Sequence, residues 1–177
     1  MKREGAFFLQ RINHIVYNAD YPDQCQLDLY LPEDAGRRQA CILFIHGGGW
    51  YKGEPNQFRE VAEYFCGLGY TCASMGYRLA PVWKYPSQIE DSQAAFRYLQ
   101  EQASRYGYSP RQIITWGSSA GGYLAIMLAL QTGGPAAVVA YCPVVKLEER
   151  HSYYVGEDAS LYETASPIHM VKKGLPP

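Results

Sequence analysis

The stretch Ile113-Ile114-Thr115-Trp116-Gly117-Ser118-Ser119-Ala120-Gly121 decides the fold prediction for this chain. Its first four residues are typical of a short buried strand, and the nearly all-apolar run over 123–130 indicates a buried helix. The G-x-S-x-G pattern between them places Ser119 on a sharp strand-to-helix turn, where a serine is exposed as a nucleophile. The flanking glycines are needed because side chains there would collide with the neighbouring strand or helix. The alternative is an ordinary glycine-rich helix entry that uses Ser119 as a cap.

A second glycine-rich segment, His46-Gly47-Gly48-Gly49-Trp50, follows a continuously apolar run over residues 40–45. Such a run is typical of a parallel strand that helices cover on both faces. Consecutive glycines let backbone N–H groups point into a cavity, so this glycine loop predicts an oxyanion hole, with the amide of Ala120 as a further donor. A tight turn or a phosphate cradle is the alternative, although neither G-x-x-x-x-G-K-[ST] nor G-x-G-x-x-G follows from these residues.

The rest of the chain alternates strand and helix patterns, which favours an α/β domain with right-handed crossovers and a mostly parallel sheet flanked by helices. Residues 26–31 alternate apolar and polar side chains, so we expect a half-exposed, antiparallel strand near an edge of the sheet. The sequence Ser87-Gln88-Ile89-Glu90 has the form of a capping box at the start of a helix that ends by Gly107. The remaining predicted elements are a helix over 58–68 and strands over 70–75 and 136–142.

The composition indicates a single globular domain over residues 1–177, with 47% hydrophobic and 19% charged residues. A formal net charge of −1 gives no electrostatic footprint for nucleic acid or an anionic membrane, so neither is expected as a partner. The five cysteines fit no zinc or redox spacing, and we expect free buried thiols, no metal site and no cofactor. The apolar stretch over residues 6–9 is too short for a secretory signal, and these features together predict a cytoplasmic protein.

With both glycine motifs in place, the sequence resembles the α/β-hydrolase fold and, within it, the hormone-sensitive-lipase-like carboxylesterases and the related arylformamidases. A third segment, Tyr77-Arg78-Leu79-Ala80-Pro81 followed by Tyr85-Pro86, is similar to the segment that these enzymes carry after their next strand. The resemblance implies that Ser119 is the nucleophile. It also implies that His46 supports the glycine loop and is not the catalytic base, and that the oxyanion donors are Gly48, Gly49 and Ala120.

The catalytic base is the point at which the resemblance breaks. In this fold the serine is followed by an Asp or Glu and then by a His, on loops after two further strands that we do not find here. Ser166-Pro167-Ile168-His169 and residues 175–177 resemble the approach to the strand before the catalytic Asp, so we expect a C-terminally incomplete hydrolase domain. Alternatively, Asp158 and His169 act as acid and base, or a second chain supplies the missing strands. His151, among charged neighbours, is expected on a solvated face.

The missing strands have a physical consequence for the strand over 136–142, which becomes an exposed edge of the sheet. The sequence from Pro135 to Val145 is rich in apolar residues and carries no charge. Because an unprotected apolar edge is a template for pairing with another chain, we expect a homo-oligomer formed through residues 136–142.

Aromatic side chains beside the two glycine motifs predict either an aromatic-walled substrate pocket or simple closure of the core; they are Trp50, Tyr51, Trp83 and Tyr85. Enzymes of the resembling families cleave short acyl esters, acetylated or feruloylated carbohydrates, or the formamide of N-formylkynurenine. The sequence shows no amphipathic lid, which disfavours long-chain lipids as substrates. We therefore expect a serine hydrolase that cleaves short-chain carboxylic esters through an acyl-enzyme on Ser119. The alternatives are an arylformamidase, or a catalytically incomplete fragment that acts as a binding or structural domain.

Overall fold

Six strands form one sheet in the part of the chain that the computed structural model describes, residues 10–33 and 36–171. The strands are β1 (Gln10–Val16), β2 (Gln26–Leu31), β3 (Cys41–Ile45), β4 (Thr71–Met75), β5 (Ile113–Ser118) and β6 (Ala137–Tyr141). Their order across the sheet is β1-β2-β4-β3-β5-β6. The stretches over 6–9 and 175–177, which entered the sequence predictions, lie outside the described residues.

The sheet is parallel over four of its strands and antiparallel at one side. Strand β3 pairs in parallel with β4 and with β5, and β5 pairs in parallel with β6. Strand β2 pairs antiparallel with β4 and with β1. Every residue of β3 is buried, as predicted for the central strand. The α/β fold with a mostly parallel sheet is therefore confirmed.

Helices cover both faces of the sheet. They are α1 (Arg59–Gly67), α2 (Ser87–Tyr106), α3 (Ala120–Thr132), α4 (Ser152–Val155) and α5 (Ala159–Thr164), with 3-10 turns at Pro55–Phe58, Glu149–His151 and Pro167–His169. Successive side chains of β3 point to opposite faces, so Phe44 packs in the cluster of α1 while Leu43 packs in the cluster of α2 and α3. Because β3 and β5 are parallel neighbours, the loops at their carboxyl ends lie side by side at one edge of the sheet.

Strand β1 was not among the sequence predictions, and it changes the environment of β2. The prediction that β2 is antiparallel and close to an edge is confirmed, but the prediction that it is half-exposed is wrong. The carboxylate of Asp28 accepts hydrogen bonds from Arg11 Nη2 at 2.7 Å and from the backbone N–H of His14 at 3.1 Å. Tyr30 packs in the cluster beneath α1. The polar positions of the pattern are thus buried because β1 and α1 cover them.

The predicted capping box at Ser87 does not form. The N-cap of α2 is Pro86, and no side chain accepts a hydrogen bond from the first turn. The carboxylate of Glu90 instead accepts a hydrogen bond from Arg78 Nη2 at 3.0 Å. Arg78 is held there by a bidentate pair with the fully buried Asp91. Glu90, the acidic residue of the predicted capping box, is therefore paired with Arg78 and does not bond the start of α2.

The cysteines are free, and four of them are buried as predicted: Cys25, Cys41, Cys66 and Cys72. Burial raises the pKa of the Cys66 thiol to about 11. Cys142 is exposed, so the expectation of burial is wrong for this residue, which directly follows the edge strand β6. Within residues 10–33 and 36–171, no group of His, Cys, Asp or Glu side chains is arranged to hold a metal ion. None of the helices described there is both long and apolar enough to cross a membrane.

Candidate active site

Ser119 lies at the junction of β5 and α3 with a backbone conformation that side chains rarely adopt, φ 52° and ψ −116°. The residue is exposed, and its side chain makes no capping hydrogen bond to α3. Two backbone bonds hold it: its N–H donates to the carbonyl of Tyr141 at 2.9 Å, and its carbonyl accepts from Tyr123 at 3.0 Å. Ser119 therefore occupies the N-cap position of α3, but its side chain does not cap the helix. A strained, exposed serine of this kind is what a nucleophile elbow requires.

Two glycines of the elbow are fixed by close backbone approach. A Cβ at Gly117 would collide with the carbonyl oxygen of Gly121, and a Cβ at Gly121 would collide with the carbonyl oxygens of Ile45 and His46. The helix α3 consequently packs directly on the end of β3, which a side chain at either position would prevent.

The glycine loop lies against this elbow. A Cβ at Gly47 would be 2.9 Å from the carbonyl oxygen of Ser118 and 3.5 Å from Ser119 Cβ. Gly48 and Gly49 have φ values of 107° and 59°, in the region that favours glycine. Within the described residues, no acceptor takes the backbone N–H of Gly48, Gly49 or Ala120. Three free amide donors thus belong to the two segments that meet at the nucleophile.

His46 is part of the support of this loop. Its ring is fully buried, stacks on Tyr77 at 4.1 Å between centroids, and Nδ1–H donates to the carbonyl of Gly47 at 2.7 Å. The hydroxyl of Tyr77 in turn donates to the carbonyl of His46 at 3.0 Å. Burial lowers the pKa of His46 to about 4, so the imidazole is neutral at pH 7. The ring bonds the backbone of its own loop, which suits a supporting role.

The aromatic residues beside the motifs divide into two groups. Trp50 is 1% exposed and packs inward, so it closes the core and does not line an open pocket. Tyr51 is 51% exposed beside the loop, whereas Trp83 and Tyr85 are half-buried. A cavity of about 310 Å³ opens next to Gly48 and is lined by polar side chains, namely Lys52, Glu54, Asn56 and Gln57, together with Gly53.

Asp158 and His169 are not joined to each other. The carboxylate of Asp158 accepts hydrogen bonds from the N–H and the hydroxyl of Ser160, at 3.0 and 2.7 Å, and so caps α5. The ring of His169 is exposed at the end of the last 3-10 turn. No hydrogen bond within the described part of the chain connects either side chain with Ser119.

His151 differs from its prediction as a solvated residue, because it is 7% exposed. Its Nδ1 accepts a hydrogen bond from the backbone N–H of Glu148 at 2.9 Å, and its ring meets the ring of Trp50 edge-on at 5.9 Å. The three-residue spacing of Glu148 and His151 is that of a capping box, which the structure contains. That spacing is the signal in the sequence that could have indicated the cap, whereas the contact of His151 with Trp50 is visible only in the structure.

Comparison with known proteins agrees with this geometry. The BD-FAE family model matches residues 27–139, which include both the glycine loop and the elbow. The chain is 38% identical over 114 residues to "Carboxylesterase NlhH" of Mycobacterium tuberculosis, covering 62% of this chain and 36% of that protein. It is 35% identical over 106 residues to "Ethyl acetate hydrolase" of Pseudomonas putida, covering 58% of this chain and 33% of that protein. The chain therefore spans about a third of the length of these curated relatives.

Solved esterases share the fold. Esterase B from Lactobacillus rhamnosis superposes with a TM-score of 0.82 at 27% identity, covering 96% of this chain and 64% of that chain. Esterase 2 from Thermogutta terrifontis superposes with a TM-score of 0.77 at 29% identity, covering 92% and 67%. The same esterase 2 has been solved phosphorylated by paraoxon and with propionate bound. The chain has the α/β-hydrolase fold, and its match over residues 27–139 shows that it belongs to the BD-FAE family.

Proposed function

We propose that this protein hydrolyses short-chain carboxylic esters through an acyl-enzyme on Ser119. One observation carries the proposal: an exposed serine at φ 52° lies directly against a loop in which the amides of Gly48 and Gly49 have no acceptor among the described residues. An ester carbonyl attacked by Ser119 develops negative charge on its oxygen, and fixed N–H donors stabilise that charge in the transition state. The donors would be Gly48, Gly49 and Ala120, and removing one such donor costs about 3 kcal/mol of transition-state stabilisation. Water would then release the acyl group.

The names of the relatives support an ester as substrate. The similar proteins include a carboxylesterase and an ethyl acetate hydrolase. A related esterase carries a phosphoryl group from paraoxon in one structure and propionate in another, which supports a reactive nucleophile and a short acyl group. The cavity of about 310 Å³ beside Gly48 offers room for the alcohol part of the ester, for which an acetylated or feruloylated carbohydrate is one candidate.

Ser119 needs a general base that accepts the proton of its hydroxyl, and we consider two origins for this base. One candidate is His169, which is exposed and follows Ser119 and Asp158 in the chain order that this fold uses. Otherwise the histidine comes from polypeptide outside residues 1–177. We further propose a cytoplasmic location, supported by four buried cysteines that form no disulfide.

The test is the intact mass of the purified protein before and after treatment with a fluorophosphonate, beside turnover of an activated acetate ester. We expect one adduct on the wild type and on the matched control Ser118→Ala, and none on Ser119→Ala. If a folded wild-type protein gains no adduct, residues 1–177 do not form an active hydrolase by themselves. Either the base then comes from polypeptide outside these residues, or the chain is a binding or structural domain.

The same reagent distinguishes the two sources of the base. If His169 is the base, His169→Asn abolishes the adduct whereas His14→Asn, another exposed histidine, retains it. If both variants are labelled like the wild type, His169 is excluded and the base lies elsewhere.

A further inference from the structure

A cluster of three buried aromatic rings connects the glycine loop with the segment that follows β6. The rings of Trp50 and Tyr154 stack with 4.1 Å between centroids and 4° between planes. Tyr123 meets both of them edge-on, at 5.2 Å from Trp50 and 5.8 Å from Tyr154. We call Trp50, Tyr123 and Tyr154 the aromatic clamp. It brings together a loop, the helix α3 and the short helix α4, which are far apart in the sequence.

The clamp holds a residue whose backbone is strained. Trp50 has φ 62°, and the left-handed region costs a bulky residue roughly 1–2 kcal/mol. Such a conformation persists only where the surroundings impose it. Trp50 directly follows Gly48 and Gly49, which have no side chains of their own to fix their peptide planes. His46 supports the loop on the side of Gly47. On the other side, the orientation of the two amides depends on the large side chain of Trp50, which directly follows them.

The other side of the clamp is anchored to the body of the protein. The carbonyl of Tyr154 accepts a hydrogen bond from the N–H of Tyr85 at 2.9 Å. The hydroxyl of Tyr123 donates to the carbonyl of Ala165 at 2.9 Å, and its N–H donates to the carbonyl of Ser119. Tyr123 thus links the clamp to the nucleophile itself. The hydroxyl of Tyr154 has no partner within the described residues, so the ring alone makes the contact with Trp50.

We propose that Tyr154 is a positioning residue, which acts through its stack on Trp50 to hold the amides of Gly48 and Gly49 in the direction of the developing oxyanion. The catalytic part of this inference rests on the proposed function, whereas the structural part does not. Removal of the ring frees Trp50 to leave its strained conformation, and the loop then loses its fixed orientation.

The first test is amide hydrogen exchange at residues that report on the loop. The N–H groups of Tyr51 and Lys52 donate to the carbonyl of Gly48, and the N–H of Ala80 donates to the carbonyl of Trp50. We expect Tyr154→Leu to speed exchange at these amides by about tenfold or more, while the amides of β3 and β5 stay as in the wild type. Tyr154→Phe, which keeps the ring, should exchange like the wild type.

The matched control is Tyr106→Leu. Tyr106 is a buried tyrosine at the last position of α2, and it makes no ring contact with the clamp among the described residues. If Tyr106→Leu speeds exchange at Tyr51, Lys52 and Ala80 as much as Tyr154→Leu does, general destabilisation explains the effect and the inference is overturned. An unchanged loop in Tyr154→Leu overturns it as well.

The second test uses the ester assay. Oxyanion donors act in the transition state, so Tyr154→Leu should lower kcat by about tenfold or more with little change in KM, and Tyr154→Phe should restore kcat. If the wild type neither turns over an ester nor reacts with a fluorophosphonate, the proposed function fails. The exchange experiment then still decides whether Tyr154 positions the loop.

Discussion

Trp50 and Ser119, two of the four non-glycine residues with positive φ in the described part of the chain, lie on either side of the candidate active site. Each such conformation costs roughly 1–3 kcal/mol and needs support from its surroundings. Trp50 is held by stacked rings, and Ser119 by backbone hydrogen bonds to β6 and α3. At the scale of single residues, both segments that form the candidate site thus contain a strained residue that its surroundings hold in place.

His46 gives a prediction on stability at this scale. Burial lowers its pKa to about 4, whereas an unfolded chain binds the proton near pH 6.5, so the unfolded state binds more protons between these values. The contribution of neutral His46 to the free energy of unfolding is fully present above about pH 6.5. It is lost as the pH falls towards 4, and the total loss is roughly 3 kcal/mol. Burial, followed by the charge of Arg150, also lowers the pKa of His151, which acts in the same direction.

The measurement is urea unfolding between pH 7.5 and pH 4. The wild type and His14→Gln, which changes an exposed histidine, should lose stability steeply over this range. His46→Gln should be less stable at pH 7.5 but should depend less on pH. An equal slope in all three proteins would show that His46 is not the titrating group.

Among the helices and strands, the contact between α3 and the end of β3 brings the two glycine motifs together. It depends on Gly121, whose missing side chain lets the first turn of α3 approach the backbone of Ile45 and His46. The next residue, Gly122, faces Pro143, where an added Cβ would be 3.1 Å from Pro143 Cβ. Adjacent glycines of one helix thus have different steric requirements.

These two positions form a matched pair of variants. Gly121→Ala should lower the free energy of unfolding by about 1–3 kcal/mol, because the helix must move off the strand, and should slow labelling of Ser119. Gly122→Ala should change stability by less than about 1 kcal/mol, since a small steric cost is offset by higher helix propensity. Chemical denaturation measures both. Equal losses in the two variants would contradict the role assigned to Gly121.

At the scale of the whole molecule, the open side of the sheet is the prominent feature. Strand β6 is the outer strand next to β5 in the described sheet, and Val139 and Tyr141 are 38% and 70% exposed. The opposite outer strand, β1, carries polar side chains such as Arg11 and Asn13. An apolar edge favours pairing with another chain, whereas charged side chains discourage it.

The predicted oligomer formed through residues 136–142 can be tested by light scattering over a range of protein concentrations. We expect the wild type to associate and Val139→Lys to shift the equilibrium towards the monomer, because a charge at the edge opposes strand pairing. Val16→Lys, on β1, is the control and should associate like the wild type. A wild type that stays monomeric at high concentration would contradict the prediction.

Local pattern was sufficient for the glycine motifs and for the strands and helices from β2 to β6, whereas β1, α4 and α5 were not predicted. The strand, turn and helix around Ser119 follow from contiguous residues, and the structure places β5 and α3 where the pattern indicates. Strand β1 was missed because its alternation is short and its pairing with β2 is interrupted between Ile12 and Ile15. The capping box at Ser87 was predicted wrongly because the side chain of Arg78, which lies before the helix in the sequence, forms hydrogen bonds with the carboxylates of Glu90 and Asp91.

The alternation of strands and helices from β2 to β6, the buried character of β3 and the two glycine motifs can be predicted from the sequence, because each is a property of neighbouring residues. The strand order β1-β2-β4-β3-β5-β6, which places the glycine loop beside Ser119, comes from pairing between residues that are distant in the chain. The inward packing of Trp50 on Tyr154 and the burial of His151 likewise come from contacts between distant segments. The physical reason is that periodicity records which side of an element is apolar, whereas the surface that covers it comes from residues distant in the chain.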